Sequence, residues 1–277
     1  MTKQQRCIWR SAAAFLVLYL VFCGIVYFRP QWFFYNPSPD SPRLEQAVLN
    51  GYQAEEVKYP AGNGQELPAW YTKPAAGNGK IILFFHGNSH NIESFYHKLQ
   101  PLAQAGYGIF LPEFRGFGGQ PGKITEANLT ADALEAVAYL HRLGYSNDRI
   151  VLYGMSLGSN LAVNTAAVLG QKQPFAGLIL EVPFDSLYEV VSGHVWFPLP
   201  LNWLIHDRYD NLAKIAEVNT SLLVMAAQND TLVPVEHARR LYAKAADPRE
   251  MIIYHDAGHN DLYAHANYKD ILDWLKK

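Results

Sequence analysis

The chain has 277 residues, of which 49% are apolar and 13% aromatic, and its formal net charge is −2. This composition is that of a globular protein, because disordered chains are poor in apolar residues and rich in charge. The 23 basic residues nearly balance the 25 acidic ones and form no cluster, so we expect no nucleic-acid partner.

The first thirty residues differ from the rest. No charged residue occurs between Ser11 and Phe28, and Arg10 and Arg29 bound this stretch. As a helix it would be about 27 Å long, close to the roughly 30 Å of a bilayer's hydrocarbon core. A buried core helix would keep a polar face, and a cleaved signal peptide would end in small residues rather than in 26–28, Val-Tyr-Phe. The sequence therefore predicts an uncleaved transmembrane anchor over 11–28.

The charges that flank this anchor predict its orientation. The preceding segment, 1–10, contains three basic residues, Lys3, Arg6 and Arg10. By the positive-inside rule the N-terminus is cytoplasmic and the bulk of the chain lies on the opposite face, the periplasm in a Gram-negative bacterium. Aromatic residues at 32–35 fit an interfacial belt. We assign 29–43 to a juxtamembrane linker and 44–277 to the folded domain.

Strands and helices alternate along the folded domain. Extended segments at 55–59 and 67–72 flank Gly62-Asn63-Gly64, a strong hairpin signal. Further strands are predicted at 80–85, 108–111, 149–153, 177–182, 221–226 and 251–254, and helices at 92–105, 125–143, 160–169, 235–245 and 262–275. This order indicates an α/β fold with a mostly parallel central sheet and helices on both faces, preceded by one transmembrane helix.

One segment, 185–217, interrupts the alternation. Its centre, Val195–Ile205, is aromatic and too rich in proline for one regular helix. It is either a connection packed into the core or a small apolar lid over the end of the sheet. Insertions over such sheets commonly form lids, so we favour the lid.

The most informative motif is Gly154-Met155-Ser156-Leu157-Gly158, which lies between a predicted strand and a predicted helix. A tight strand-to-helix turn leaves no room for side chains at its flanks and favours glycine there. Such a turn exposes the Ser156 hydroxyl beside a helix N-terminus, where negative charge is stabilised. Ser156 is therefore the candidate nucleophile.

A serine hydroxyl needs a base to remove its proton and an acid to orient that base. In the chain order Ser, Asp, His, the acid follows the next-to-last strand and the histidine follows the last one. Asp230 and His259 occupy these positions, and we predict a Ser156, Asp230 and His259 triad. Asp256 or Asp261 as the acid, and His255 as the base, are the alternatives.

Acyl transfer also needs two donors aimed at the developing oxyanion. One is expected to be the backbone N–H of Leu157, directly after the nucleophile. The other is expected from the loop that follows strand 80–85, where His86-Gly87-Asn88 presents the N–H of Asn88.

Two further patterns suggest metal or nucleotide chemistry and fail on their context. The pairs His86/His90 and His255/His259 have the spacing of zinc ligands on a helix, but each pair spans a glycine in a predicted loop and lacks an adjacent glutamate. The glycine-rich loop 116–122 lacks the third glycine of a dinucleotide fingerprint. We expect neither a metal nor a cofactor.

Over residues 50–277 the chain resembles the α/β-hydrolase superfamily, in particular its bud-emergence-type branch. The motifs that carry the resemblance are His86-Gly87-Asn88, Arg115-Gly116-Phe117-Gly118, the turn at 154–158, Asp230 with Val233-Pro234, and Gly258-His259-Asn260-Asp261. That branch has Asp-Tyr before Arg-Gly where this chain has Glu113-Phe114, and serine at Gln120. The resemblance implies a single-pass anchored serine hydrolase, related to protein depalmitoylases and to serine aminopeptidase-like hydrolases.

Three functions are consistent with these features. The first is hydrolysis of an ester, thioester or related acyl bond in an acyl or lipid-like substrate beside the membrane to which the N-terminal helix is anchored. The second is a peptidase, for which Glu181, Asp185 and Glu189 would bind a peptide's amino terminus. The third is a binding module without activity, which the complete motifs disfavour.

Overall fold

The computed structural model describes residues 2–277 and begins with a long apolar helix, α1, at Lys3–Phe28. Its mean hydropathy is 2.3 over the most apolar window, and Val26 is its one buried residue. Among the described residues it is the one helix that is both long and apolar enough to cross a membrane.

The segment after α1 folds against the domain. It contains a short helix, α2 at Gln31–Phe34, and a two-residue strand, β1 at Asn36–Pro37. Trp32 is 69% exposed, as an interfacial residue would be, whereas Tyr35 is buried. The Tyr35 hydroxyl lies 2.8 Å from the Tyr209 hydroxyl. The predicted juxtamembrane linker is thus attached to the domain along part of its length.

Eight strands form the central sheet: β2 Glu55–Pro60, β3 Glu66–Thr72, β4 Ile81–Phe85, β6 Gly108–Pro112, β7 Ile150–Met155, β8 Gly177–Glu181, β9 Leu222–Ala227 and β10 Arg249–Tyr254. Their order across the sheet is β10-β9-β8-β7-β4-β6-β3-β2. The pairs β2–β3 and β3–β6 are antiparallel and the other pairs are parallel, which confirms the predicted sheet. The remaining strand, β5 at Ser89–His90, pairs with β1.

The helices lie around this sheet, and two apolar clusters fill its two faces. Every residue of the central strands β4, β6, β7, β8 and β9 is buried, which is why they are continuous apolar runs in the sequence. The helix ranges are α3 Leu44–Leu49, α4 Tyr96–Gln104, α5 Glu126–Arg142, α6 Leu157–Leu169, α7 Leu187–His194, α8 Leu201–Leu204, α9 Asn211–Lys214, α10 Val235–Lys244 and α11 Asn267–Trp274.

Two predicted helices differ from the structure at their first turns. The one predicted at 92–105 begins with a separate 3-10 turn, Ile92–Ser94, before α4. The one predicted at 262–275 is divided at Ala266, whose φ of 58° is left-handed and incompatible with a continuous helix.

The lid is smaller than the predicted 185–217. Its first half, α7 and α8, forms the outer layer, but its second half enters the core. The Asn211 side chain is fully buried and donates to the carbonyl of Phe184 at 2.7 Å and to Ser159 Oγ at 3.2 Å. Buried hydrogen bonds of this kind fix the second half as a packed connection, and we restrict the lid to 187–204.

Candidate active site

The turn between β7 and α6 holds Ser156 in a strained conformation. Its φ of 51° is in the left-handed region, and its N–H donates to the carbonyl of Glu181 at 2.9 Å. A Cβ at Gly154 would collide with the backbone of Gly158, and one at Gly158 with the backbone of Phe85. Glycine is therefore required at both flanks, and the serine is held at the end of the strand.

Ser156, His259 and Asp230 form one hydrogen-bonded row. Ser156 Oγ lies 3.0 Å from His259 Nε2, and His259 Nδ1 lies 2.6 Å from Asp230 Oδ2. The other oxygen, Asp230 Oδ1, accepts from the N–H groups of Leu232 at 2.9 Å and Val233 at 2.7 Å. The Asp230 side chain is 1% exposed and that of His259 is 10% exposed. The loop thus binds one carboxylate oxygen and leaves the other to orient the imidazole.

The alternative acid and base lie outside this row. His255 and Asp256 are exposed, and the His255 carbonyl accepts from the Asn229 side chain at 2.9 Å. Asp261 accepts from the N–H of Gly258 at 2.7 Å, so it stabilises the loop that carries His259. The structure brings together the three residues first predicted and leaves the alternatives apart from them.

The two predicted oxyanion donors flank Ser156. Asn88, Ser156 and Leu157 line one cavity. Leu157 is the first residue of α6, so its N–H has no acceptor within the helix. At Gly87 a Cβ would lie 3.7 Å from that of Ser156, so the loop passes close to the nucleophile.

The segment that follows the N-terminal helix holds in place the donor loop, residues 86–90, which carries the predicted donor Asn88. The N–H of Asn36 donates to the carbonyl of Asn88 at 2.9 Å, and Asn88 Nδ2 donates to the carbonyl of Phe34 at 2.9 Å. One step further, the N–H of Ser38 donates to the carbonyl of His90 at 3.0 Å. The sequence does not predict this contact, because a two-residue strand has no periodic pattern.

A buried pair, His86 and Glu113, supports the donor loop from below. The two side chains are fully buried, and His86 Nε2 lies 3.1 Å from Glu113 Oε1. His86 Nδ1 lies 2.8 Å from the Gly87 carbonyl, and the ring stacks on Phe114 at 4.2 Å. A Cβ at Gly118 would collide with the Glu113 carboxylate, so glycine there makes room for glutamate. His86 is thus part of the scaffold of the donor loop.

An apolar cavity of about 270 Å³ lies above Ser156. Three segments form its walls: 33–35 after the N-terminal helix, the lid helix α7 with His194 and Val195, and Leu232–Val233 after the acid. Its size is near the lower end of small-molecule pockets, about 300 Å³. An apolar chain attached to a reacting carbonyl would fit these walls.

Of the three carboxylates suggested as a peptide anchor, two are paired with basic side chains and one lies outside the cavity. Glu181 is fully buried and lies 2.7 Å from Lys98 Nζ. Burial acts to raise the pKa of Asp185, but hydrogen bonds from His237 and Arg240, each at 2.6 Å, hold that pKa below its usual value. Glu189 is exposed and does not line the cavity. No free carboxylate of this set faces Ser156.

Comparison with known proteins defines the class. The model of the prolyl oligopeptidase family matches residues 93–277. An uncharacterized protein of Mycobacterium tuberculosis, Rv2307c, is 33% identical over 265 residues, which are 93% of this chain and 90% of that protein. The chain therefore belongs to the prolyl oligopeptidase family within the α/β-hydrolase superfamily, and it is a hydrolase.

Two further matches agree with this class. The lysophosphatidylserine lipase ABHD12 of Macaca fascicularis is 28% identical over 200 residues, which are 65% of this chain and 49% of that protein. The solved structure of an esterase from Pyrococcus furiosus has the same fold, with a TM-score of 0.68 at 19% identity over 87% of this chain and 97% of that one. These matches confirm the predicted α/β-hydrolase fold.

Proposed function

We propose that the chain is a membrane-anchored serine hydrolase that cleaves an ester, thioester or related acyl bond. The observation that carries the proposal is the hydrogen-bonded row of Asp230, His259 and Ser156 beneath an apolar cavity. A base within hydrogen-bond reach of the nucleophile, itself oriented by a buried acid, is the geometry that nucleophilic acyl transfer requires.

In the first half-reaction Ser156 Oγ attacks the substrate carbonyl and its proton passes to His259 Nε2. Asp230 Oδ2 accepts the hydrogen on Nδ1, which fixes the tautomer and stabilises the imidazolium. The N–H groups of Asn88 and Leu157 bind the oxyanion. His259 then gives its proton to the departing alcohol or thiol, and an acyl-enzyme on Ser156 remains.

Water completes the second half-reaction. His259 removes a proton from the water as its oxygen attacks the acyl carbonyl, and the same two N–H groups bind the second oxyanion. When the tetrahedral species collapses, the carboxylic acid leaves and Ser156 recovers its proton from His259. No cofactor or metal takes part in this proposal.

The walls of the site favour acyl substrates over peptides. The cavity walls are apolar, and the relatives include proteins named as an esterase and a lysophosphatidylserine lipase. A peptidase remains the second candidate because the matching family is named for a peptidase. The ion pairs of Glu181 and Asp185 argue against it, because a peptide amino group would have to displace Lys98 or Arg240.

Location is the second part of the proposal. Helix α1 anchors the chain through residues 11–28, the basic segment 1–10 is cytoplasmic, and the hydrolase domain lies on the opposite face. Support comes from the length, hydropathy and exposure of α1.

Labelling with a fluorophosphonate probe tests the nucleophile. The intact chain should be labelled, the Ser156→Ala variant should not, and the matched control Ser146→Ala, at a distant serine on the surface, should be labelled like the parent. Equal labelling of the parent and Ser156→Ala would show that the nucleophile is misassigned. In turnover, cleavage of short acyl esters but not of aminoacyl amides supports the esterase, and the reverse supports the peptidase.

A further inference from the structure

The outer end of the lid is an apolar surface exposed to its surroundings. Residues 195–205 contain no charged side chain. Trp196 is 92% exposed and Trp203 is 78% exposed. Two tryptophans this exposed within one short apolar segment are unusual on a surface that faces water, since exposed apolar patches mark contact sites.

This outer end packs against the middle of α1. The Tyr19 hydroxyl donates to the carbonyl of Pro198 at 2.9 Å, and the rings of Phe22 and Phe197 lie 6.3 Å apart. Phe22 and Tyr19 precede the end of α1, Phe28, by six and nine residues, or about 9 and about 13 Å along the helix axis. Where α1 spans a bilayer, a segment that contacts it at this depth lies in hydrocarbon too.

We propose that residues 195–204 insert into the hydrocarbon of the leaflet beside α1, and that the acyl chain of a bilayer-resident ester enters the cavity directly from that leaflet. The first half rests on the membrane-spanning position of α1. The second half also rests on the acyl hydrolase function proposed above.

The backbone of the segment suits a medium without water. Pro198 and Pro200 have no N–H group, so two donors that hydrocarbon could not satisfy are absent. The Pro198 carbonyl accepts from Tyr19, and the Pro200 carbonyl accepts from the N–H groups of Trp203 at 2.8 Å and Leu204 at 3.1 Å. Tryptophans at the surface of such a segment are typical of membrane interfaces.

A continuous apolar path connects α1 with Ser156. The ring of Phe33 lies 5.9 Å from that of Phe22 in an edge-to-face contact, and Phe33 also lines the cavity above Ser156. Val195, at the start of the inserted segment, also lines the cavity. An acyl chain can therefore pass from the leaflet to the nucleophile between these two residues without crossing water. The expected substrate is a long-chain ester whose head group stays at the interface.

Tryptophan quenching by brominated phosphatidylcholine in nanodiscs tests the insertion. The full chain with Trp9→Phe and Trp32→Phe keeps two exposed tryptophans, at 196 and 203, and two within the domain, Trp70 and Trp274. Bromolipids should quench the fluorescence of Trp196 and Trp203 and leave that of the two domain tryptophans unchanged. The matched control with Trp196→Phe and Trp203→Phe added should lose this quenching. Equal quenching of the two proteins would overturn the insertion.

Activity tests lateral entry separately. The rate on a bilayer-resident long-chain ester is divided by the rate on a soluble short-chain ester. The double variant Trp196→Glu with Trp203→Glu should lower this ratio about tenfold or more, because charge is costly in hydrocarbon. An unchanged ratio would overturn lateral entry. Fluorophosphonate labelling of the same samples distinguishes failure of the insertion from failure of the hydrolase function. A parent protein that is not labelled would refute the hydrolase function. A parent protein that is labelled but not quenched by bromolipids would refute only the insertion.

Discussion

Replacement of Asn36 by proline tests whether the segment after α1 positions Asn88, the proposed oxyanion donor. The Asn36 N–H donates to the carbonyl of Asn88 at 2.9 Å, and proline removes this donor. Tyr35, which would precede the new proline, has φ −132° and ψ 144°, the extended conformation that proline requires before it. The substitution therefore removes one hydrogen bond and places the ring Cδ against the Asn88 carbonyl, while Tyr35 can keep its conformation.

The expected fall in kcat can be worked out from the loss of this hydrogen bond. A partly buried carbonyl that loses its partner costs about 1–3 kcal/mol. If Asn88 moves to recover that energy, its N–H leaves the oxyanion, and kcat should fall about 5- to 150-fold at about 1.4 kcal/mol per tenfold. The KM for a small soluble ester should change little, since the lost interaction belongs to the transition state.

Steady-state hydrolysis of a short-chain nitrophenyl ester by the parent, Asn36→Pro and Asn36→Ala measures the effect. Asn36→Ala is the matched control because it loses the same side chain and keeps the backbone N–H. It should retain the parent kcat. Equal kcat values for the proline and alanine variants would refute the role of this hydrogen bond, and a common loss would assign the effect to the side chain.

Three other perturbations test the turn at 154–158, the lid and the juxtamembrane linker. Gly158→Ala should abolish fluorophosphonate labelling and lower the free energy of unfolding, measured by calorimetry, by roughly 1–3 kcal/mol. The control Gly193→Ala, where a Cβ meets nothing within 4 Å, should do neither. Hydrogen bonds to the Val190 and Thr231 carbonyls raise the pKa of His194. Its protonated form thus stabilises the lid below about pH 6.5, by less than about 1 kcal/mol, and this is lost as pH rises through the raised pKa. Lid proteolysis should increase with pH in the parent, and a His194→Gln variant that shows the same increase would refute this. A chain that starts at residue 30 should hydrolyse soluble esters, and one that starts at residue 44 should not. Equal rates for the two chains would refute the role of residues 33–38 in positioning Asn88.

The sequence predicted the sheet and the meeting of Ser156, Asp230 and His259 for a shared physical reason. Buried parallel strands are covered on both faces, so each is a continuous apolar run bounded by turn residues. The polar residues that follow such runs meet at one edge of the sheet. This is why Ser156, Asp230 and His259, which are far apart in the chain, were predicted to meet and lie within hydrogen-bond distance.

The parts that the sequence did not predict depend on contacts between distant segments. The pairing of Asn36 with the loop at Asn88 involves one strand of two residues, too short for any periodicity. The second half of 185–217 has the composition of a lid, but buried partners of Asn211 on other elements draw it into the core. Local pattern gives no information about such partners.

The arrangement separates the chemistry of the site from its access. The hydrogen-bonded row of Ser156, His259 and Asp230 is held by the sheet ends and by the Asp230 loop, and none of its hydrogen bonds involves α1. The cavity walls, in contrast, do contact α1. Phe22 of α1 contacts Phe33, which lies on one wall, and Phe197 of the lid, which forms another wall. A change in the tilt of α1 would therefore displace both walls together while the row kept its geometry. Substitutions at Phe22 should accordingly change which acyl chains enter, and leave the reaction at Ser156 the same.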